Sequence, residues 1–395
     1  MFSTNRDGKV PHQKMADIIM SNENSIACTT SGILTPLDIG QGKYAFAVKD
    51  SIDIEGYPTR SGSRVYAETA PAKQHAEVVS SLLKHGFHCV GKTTLHELAF
   101  GVTGINPWFG TPVNPLYPAL IPGGSSSGSA TAVAAGEVDF AIGTDTGGSV
   151  RMPAACCGVA GFKPTFGLLS RKGVLPASSS LDCVGIFAKD PAMIRTVMQT
   201  LCTDIHTENT SAPLPARQKG LALPEIDEVI DQWLLSRGIR VEETDLPQLT
   251  SAHQAGITVI GYENWQAYAG IADHPLLSGD VRTRLHAASA LTADQLEDAE
   301  NVRSVTSQAI DSLLDKHHFL LLPALPELPP TLEEATDPLN VVNLTRLVRP
   351  FNLTGHPAIV IPAGEINHRP VSLQIVGRKG RDLALIEYAI KLFNK

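Results

Sequence analysis

The chain has 395 residues, 43% of them hydrophobic, with mean hydropathy near zero and a formal net charge of −8 at pH 7. That is ample for a large buried core, in one big α/β domain or two modest ones. The negative balance argues against a nucleic-acid footprint or a polybasic membrane surface, and no apolar run approaches transmembrane length.

The first 40 residues are polar and irregular, apart from a short apolar cluster at 15–20. They hold no apolar signal-peptide core, so the cytoplasm is the expected compartment. Residues 44–48 predict a short buried strand. Val78, Val79, Leu82 and Leu83 mark one face of a helix that Gly86 stops. Residues 87–90 predict the next strand and 95–100 the next helix. A strand over 138–142 runs straight into a Gly-rich loop, and 151–157 resumes as helix.

The stretch 206–218 is polar and proline-bearing, hence a surface loop or a weak internal boundary. Beyond it a strand is predicted at 221–223. Ile226, Val229, Ile230, Trp233 and Leu234 fall at helical spacing, and 239–242 is strand again. The tail predicts strands at 358–361 and 373–376, then an amphipathic helix over 382–393. Strands alternating with helices imply an α/β sheet covered on both faces. Because strands recur on both sides of 206–218, a single domain over 1–395 is expected.

Six cysteines, at 28, 89, 156, 157, 183 and 202, form no CxxC pair and no zinc-like spacing, so no disulfide framework or metal site is expected. Adjacent Cys156 and Cys157 read as small buried thiols. Gly86-Phe-His-Cys-Val-Gly91-Lys92-Thr93 fits the Walker A string, yet its inner residues are strand formers rather than a flexible phosphate loop. Lys92 therefore reads as a solvated lysine after a strand. His96-Glu97 starts like a zinc-protease helix, but Phe100 stands where the second histidine belongs. Ser81-Leu-Leu-Lys84 lacks the companion triplets of β-lactamases and sits on a helix.

Gly124-Ser-Ser126-Ser-Gly128 matches the nucleophile elbow of α/β-hydrolases, but a twice-broken loop precedes it instead of the required strand. A helix former, 130–135, follows, so these serines lie at a helix N-terminus with free N–H groups. Gly143-Thr-Asp145-Thr-Gly147-Gly148-Ser149-Val-Arg151 is fed by a strand and leaves into a helix. Its backbone N–H groups can converge beside the Ser149 hydroxyl, as in an oxyanion hole; taken alone, the loop also suits a helix cap or an anion nest.

Three segments together narrow the choice. Ala45-Phe-Ala-Val-Lys49-Asp50, Pro122-Gly-Gly-Ser125-Ser-Ser-Gly-Ser129 and Gly143-Thr-Asp-Thr-Gly-Gly-Ser149-Val-Arg151, in this order, resemble the amidase signature family. The likeness continues through Cys157-Gly-Val-Ala-Gly-Phe-Lys163, Ser180-Leu-Asp182, Pro350-Phe-Asn352-Leu-Thr-Gly355 and Val371-Ser-Leu-Gln374. It implies a central twisted mixed β-sheet covered by α-helices on both faces. Its signature region would be about 44–190, a variable substrate-pocket region about 205–340, and the C-terminal part of the core about 341–395. The stretch before Tyr44 is short beside that of many family members, so the N-terminal helices often used in dimer contacts are expected to be reduced. A homodimer remains compatible with the resemblance.

By motif position the resemblance implies Lys49 as base, Ser125 on a cis peptide bond as relay, and Ser149 as nucleophile. The oxyanion donors would be the N–H groups of Thr146, Gly147, Gly148 and Ser149, with Asp145 and Arg151 bracing the loop. A lysine has an ordinary pKa near 10.4, so burial at a strand end must lower it before it can act as a base. Ser149 would then attack a small carboxamide or urea-type amide, forming an acyl-enzyme and releasing ammonia or an amine, with no metal or organic cofactor needed.

The acyl pocket is expected from 102–108 (Val102, Thr103, Gly104 and Trp108), from Gly124 and from the 205–340 region. Trp108 could stack on a planar substrate, and Arg346 and Arg349 could hold a carboxylate. Small amides, aryl amides and carboxylated ureas all fit. Two other readings stay open: an α/β-hydrolase-like esterase with Ser126 as nucleophile and a histidine base, and a non-catalytic amidase-like subunit of a larger complex.

Overall fold

A computed structural model of the chain describes residues 26–202 and 214–395. The expected apolar cluster at 15–20 and residues 206–213 of the expected surface loop lie outside them. The first half of the chain forms β1 (Cys28–Thr29), β2 (Ile33–Ile39), β3 (Ala45–Lys49), α1 (Glu77–Lys84), β4 (His88–Thr93), β5 (Thr111–Pro112) and α2 (Ser127–Ala135). There follow β6 (Phe140–Asp145), α3 (Arg151–Cys157), β7 (Ala160–Lys163), β8 (Cys183–Ala188), α4 (Pro191–Leu201), β9 (Ala216–Gln218), α5 (Pro224–Ser236) and β10 (Glu242–Thr244). The remainder is α6 (Gln248–Tyr268), α7 (Gly279–Ser289), α8 (Ala293–His317), β11 (Phe319–Pro323), α9 (Pro350–Leu353), β12 (Ala358–Ile366), β13 (Arg369–Gly377) and α10 (Asp382–Phe393).

Eleven strands join into one mixed sheet in the order β10-β9-β11-β13-β12-β7-β8-β6-β3-β4-β2. The α/β sheet covered by helices is the architecture expected from the alternation of elements. The central strands β6, β7 and β8 are buried along their whole length, which explains the apolar or small residues that fill them up to the Thr144-Asp145 end of β6 and the Lys163 end of β7. Phe46 of β3 stacks on Phe140 of β6 at 5.3 Å, and Phe87 meets Phe140 edge-on at 5.3 Å, which locks these neighbours together.

Several local expectations shift. Residues 95–100 make only a short 3-10 turn, Glu97–Ala99, because Leu98 and Ala99 adopt positive φ and the Leu98 N–H turns away to the Ser61 carbonyl. The strand expected at 221–223 lies earlier, at β9, inside the run read as a surface loop. Its letters, Ala-Arg-Gln, conceal a buried strand because Arg217 is neutralised by Asp227 and Asp231 of α5. The strand expected at 239–242 starts only at Glu242. Lys92 is not solvated: it lies buried next to the end of β4, pairs with Asp50 at 2.6 Å and donates to the Pro58 carbonyl and Thr59 Oγ1. Among the described residues no helix is long and apolar enough to cross a membrane.

Candidate active site

β3 and β6 run parallel side by side, with Val48 opposite Ile142, so their C-terminal ends open on the same edge of the sheet. Ligand sites in open α/β sheets form outside such strand ends. Lys49 is the last residue of β3, and Thr144 and Asp145 end β6. The Lys49 ammonium is fully buried and donates to Ser125 Oγ at 2.7 Å and to Thr144 Oγ1 at 2.8 Å. Burial pulls its pKa from 10.5 down to about 7, against the opposing pull of the Asp182 and Asp145 carboxylates. Ser125 lies just before α2 on a cis Gly124–Ser125 peptide, and its carbonyl accepts from the His96 N–H.

Ser149 closes the glycine turn between β6 and α3. Its carbonyl accepts from the Ser126 N–H at 3.3 Å, tying this turn to the Ser125 loop. Asp145 shapes the turn from beneath. One carboxylate oxygen accepts from the Gly148 N–H at 2.8 Å, and the other from the N–H groups of Val150 and Arg151. Both oxygens also take the Arg151 guanidinium, and Asn352 Nδ2 donates to Oδ1 at 2.8 Å. Burial alone would raise the Asp145 carboxyl, but Arg151, Asn352 and Lys163 outweigh it and hold the group well below the usual carboxylate range. Arg151 in turn reaches the Val348 carbonyl, Gln374 and Asn352, so the C-terminal segment clamps the turn from the far side.

The other expected residues divide. The 102–104 turn packs on the Ser125 loop: a Cβ built on Gly124 would lie 2.7 Å from the Gly104 nitrogen, and one on Gly104 would lie 2.4 Å from the Gly123 carbonyl. Thr103 Oγ1 faces His96 Nδ1 at 3.4 Å. Trp108 is engaged elsewhere, donating from Nε1 to Glu97 at 3.0 Å beneath the Arg64 guanidinium. Ser126, the rival nucleophile, is fully buried, with its hydroxyl turned onto the Thr144 backbone. That geometry leaves it no room to act as an exposed elbow serine.

The site also contains groups to which the sequence reading gave no role. Thr144 is the second oxygen on Lys49. Asp182 accepts from Thr146 Oγ1 at 2.8 Å and pairs with Arg171. Asn352 and Gln374 lie some 200 residues away along the chain, inside segments whose motif likeness was the only available signal. A cavity of about 780 Å3 is lined by Thr59, Ser61, Ser180, Val259, Tyr262 and Glu263 among others. Its wall reaches the glycine turn through α6, whose Ile260 would contact a Cβ on Gly147 at 2.9 Å.

The family model for amidases matches residues 45–229 and 224–386. The translocon at the outer membrane of chloroplasts 64 of Pisum sativum is 32% identical over 87% of this chain, which spans 64% of that longer protein. Amidase 1 of Oryza sativa subsp. japonica is 32% identical over 88% of this chain and 89% of its own length. A solved amidase crystal structure superposes with a TM-score of 0.81 at 30% identity, covering 90% of this chain and 86% of the other.

Proposed function

This chain belongs to the amidase family, and from that premise we propose that it hydrolyses the C–N bond of a small carboxamide or urea-type amide, with Ser149 as nucleophile, Ser125 as relay and Lys49 as base. One observation carries the reading: a buried lysine lies 2.7 Å from the Ser125 hydroxyl with its pKa drawn down to about 7. A lysine with its ordinary pKa would be protonated at neutral pH and could accept nothing.

In its neutral form Lys49 takes the Ser125 proton as Ser125 takes that of Ser149. The Ser149 oxygen then adds to the amide carbonyl. The developing oxyanion is held by the N–H groups of Thr146, Gly147 and Ser149, that of Gly148 being donated to Asp145. The proton returns through Ser125 to the leaving nitrogen, ammonia or an amine departs, and water hydrolyses the acyl-enzyme by the same relay. Asp145 and Arg151 hold the turn in shape without touching the reacting atoms. The reading takes the cytoplasm as its compartment.

The test is ammonia release from a panel of primary amides, aryl amides and carboxylated ureas, by wild type and by Ser149→Ala. Release by wild type and none by the variant supports the reading. No release from any amide, or undiminished release by Ser149→Ala, overturns it.

A further inference from the structure

Arg349, the last residue before α9, packs directly on the glycine turn. A Cβ built on Gly147 would lie 3.0 Å from its Nε, and one on Gly256 of α6 would lie 2.8 Å from its Cγ. The two glycines thus leave the space that the arginine fills. Its Nε is buried and has no hydrogen-bond partner among the described residues, and its Nη1 faces His253 Nδ1 at 3.4 Å. Burial, together with the Arg349 and Arg346 charges, lowers His253 to about 4, so its imidazole is neutral at pH 7 and can accept from the guanidinium. Arg349 itself, lowered to about 10 by burial and by Arg284, keeps its charge.

Among the described residues no acid pairs with Arg349. Arg284 is already paired with Asp280, and Arg346 donates to the Leu221 carbonyl with its own Nε unpartnered among the described residues. Of the acidic groups lining the nearby cavity, Glu263 accepts from Ser179 and Ser180, and Glu300 pairs with Arg303. A half-buried guanidinium whose Nε is buried and unmet among the described residues, set against the turn proposed to receive the carbonyl, is suited to anchor an anion.

We infer that Arg349 binds a carboxylate on the acyl part of the substrate, so that the enzyme's preferred substrates are half-amides of short dicarboxylic acids or carboxylated ureas. This rests on the amide hydrolysis proposed for Ser149. A neutral acyl group would leave the guanidinium unmatched, whereas a carboxylate accepts from it in a charge-assisted contact.

The test has two arms. In the first, kcat/KM is measured for malonamic, succinamic and glutaramic acids against neutral amides carrying an isopropyl group in place of the carboxylate. Wild type is expected to favour the acid of at least one pair by about 100-fold, mostly through KM. Arg349→Gln should collapse that ratio and Arg349→Lys should recover part of it. Hydrolysis of the neutral amides with no preference for the acids overturns this inference while leaving the amide-hydrolase reading intact.

In the second arm, the rise in Tm of the full chain is measured with malonate, succinate or glutarate against the matching monocarboxylates, in wild type and in Arg349→Gln. A dicarboxylate-specific rise that the variant loses supports the anchor even if no amide is turned over. Equal responses to both ligand classes, or a rise that survives in the variant, refute it.

Discussion

Lys49 Nζ and Ser125 Oγ lie 2.7 Å apart at the buried ends of β3 and the α2 loop, 76 residues apart in sequence. In the proposed mechanism this contact joins a base to its relay, which requires a neutral amine. With the lysine pKa near 7, log kcat/KM should rise with pH through a midpoint near 7 and then level off. A pH–rate profile on any confirmed amide checks this. A midpoint below 5 or above 9 would contradict the assignment of Lys49 as the base.

Lys49→Met should abolish turnover yet make the protein more stable at pH 7. The unfolded chain binds the lysine proton up to about pH 10.4, and the folded one only below about 7. Between those values the unfolded state holds more protons, so wild-type stability increases with pH and the penalty is largest at and below about pH 7. That penalty is about 4 kcal/mol. Loss of the bonds to Ser125 and Thr144 gives back roughly 1 kcal/mol each, which leaves about 2 kcal/mol in favour of methionine. Urea unfolding of both proteins at pH 7 and pH 10 reads the difference, which should shrink or reverse at the higher pH.

Asp145→Asn should destabilise the protein by about 3–5 kcal/mol, since it leaves the fully buried Arg151 guanidinium uncompensated. It also weakens the acceptor for the Gly148, Val150 and Arg151 N–H groups, so activity should fall by more than the unfolded fraction explains. Denaturant midpoints, with turnover measured well below the transition, separate the two effects.

Gly148 has φ +112°, and a Cβ there would meet Val348 Cγ2 at 2.3 Å. Gly148→Ala should therefore cost about 1–3 kcal/mol from overpacking alone and displace the adjacent Ser149. Turnover should drop at least tenfold at temperatures where thermal unfolding shows the variant fully folded. Wild-type kinetics in this variant would show that the turn tolerates the shift.

Lys92→Met should lower stability by about 3–5 kcal/mol, because the Asp50 carboxylate is left buried and unpaired. ATP with Mg2+ should leave the Tm of wild type unchanged, since this lysine is engaged by Asp50, Pro58 and Thr59 rather than held ready for a phosphate. A nucleotide-dependent rise in Tm would revive the Walker A string.

Local pattern carried the elements whose own side chains decide their state. The 382–393 helix and the 151–157 helix lie where the spacing puts them, and β3, β6, β12 and β13 fall within a few residues of expectation. Where a partner elsewhere neutralises a charge, the letters mislead. Arg217 turns a polar run into a buried strand because Asp227 and Asp231 cover it, and Lys92 is buried because Asp50 is. The helix expected at 95–100 fails for another non-local reason: the His96 and Leu98 N–H groups are claimed by the Ser125 and Ser61 carbonyls.

The sequence by itself determined which residue types stand at the strand ends: a lysine closing β3, a serine-rich helix start, and a Gly-Gly-Ser turn after β6. Those are local facts, readable from composition, order and likeness to a family. Only the tertiary structure decided that Lys49 is dry, that its amine meets two hydroxyls instead of a carboxylate, and that Arg349 has no acid paired with it among the described residues. Desolvation and charge balance depend on every element packed around a group, including α6 and the C-terminal strands hundreds of residues away, and no local spacing encodes them.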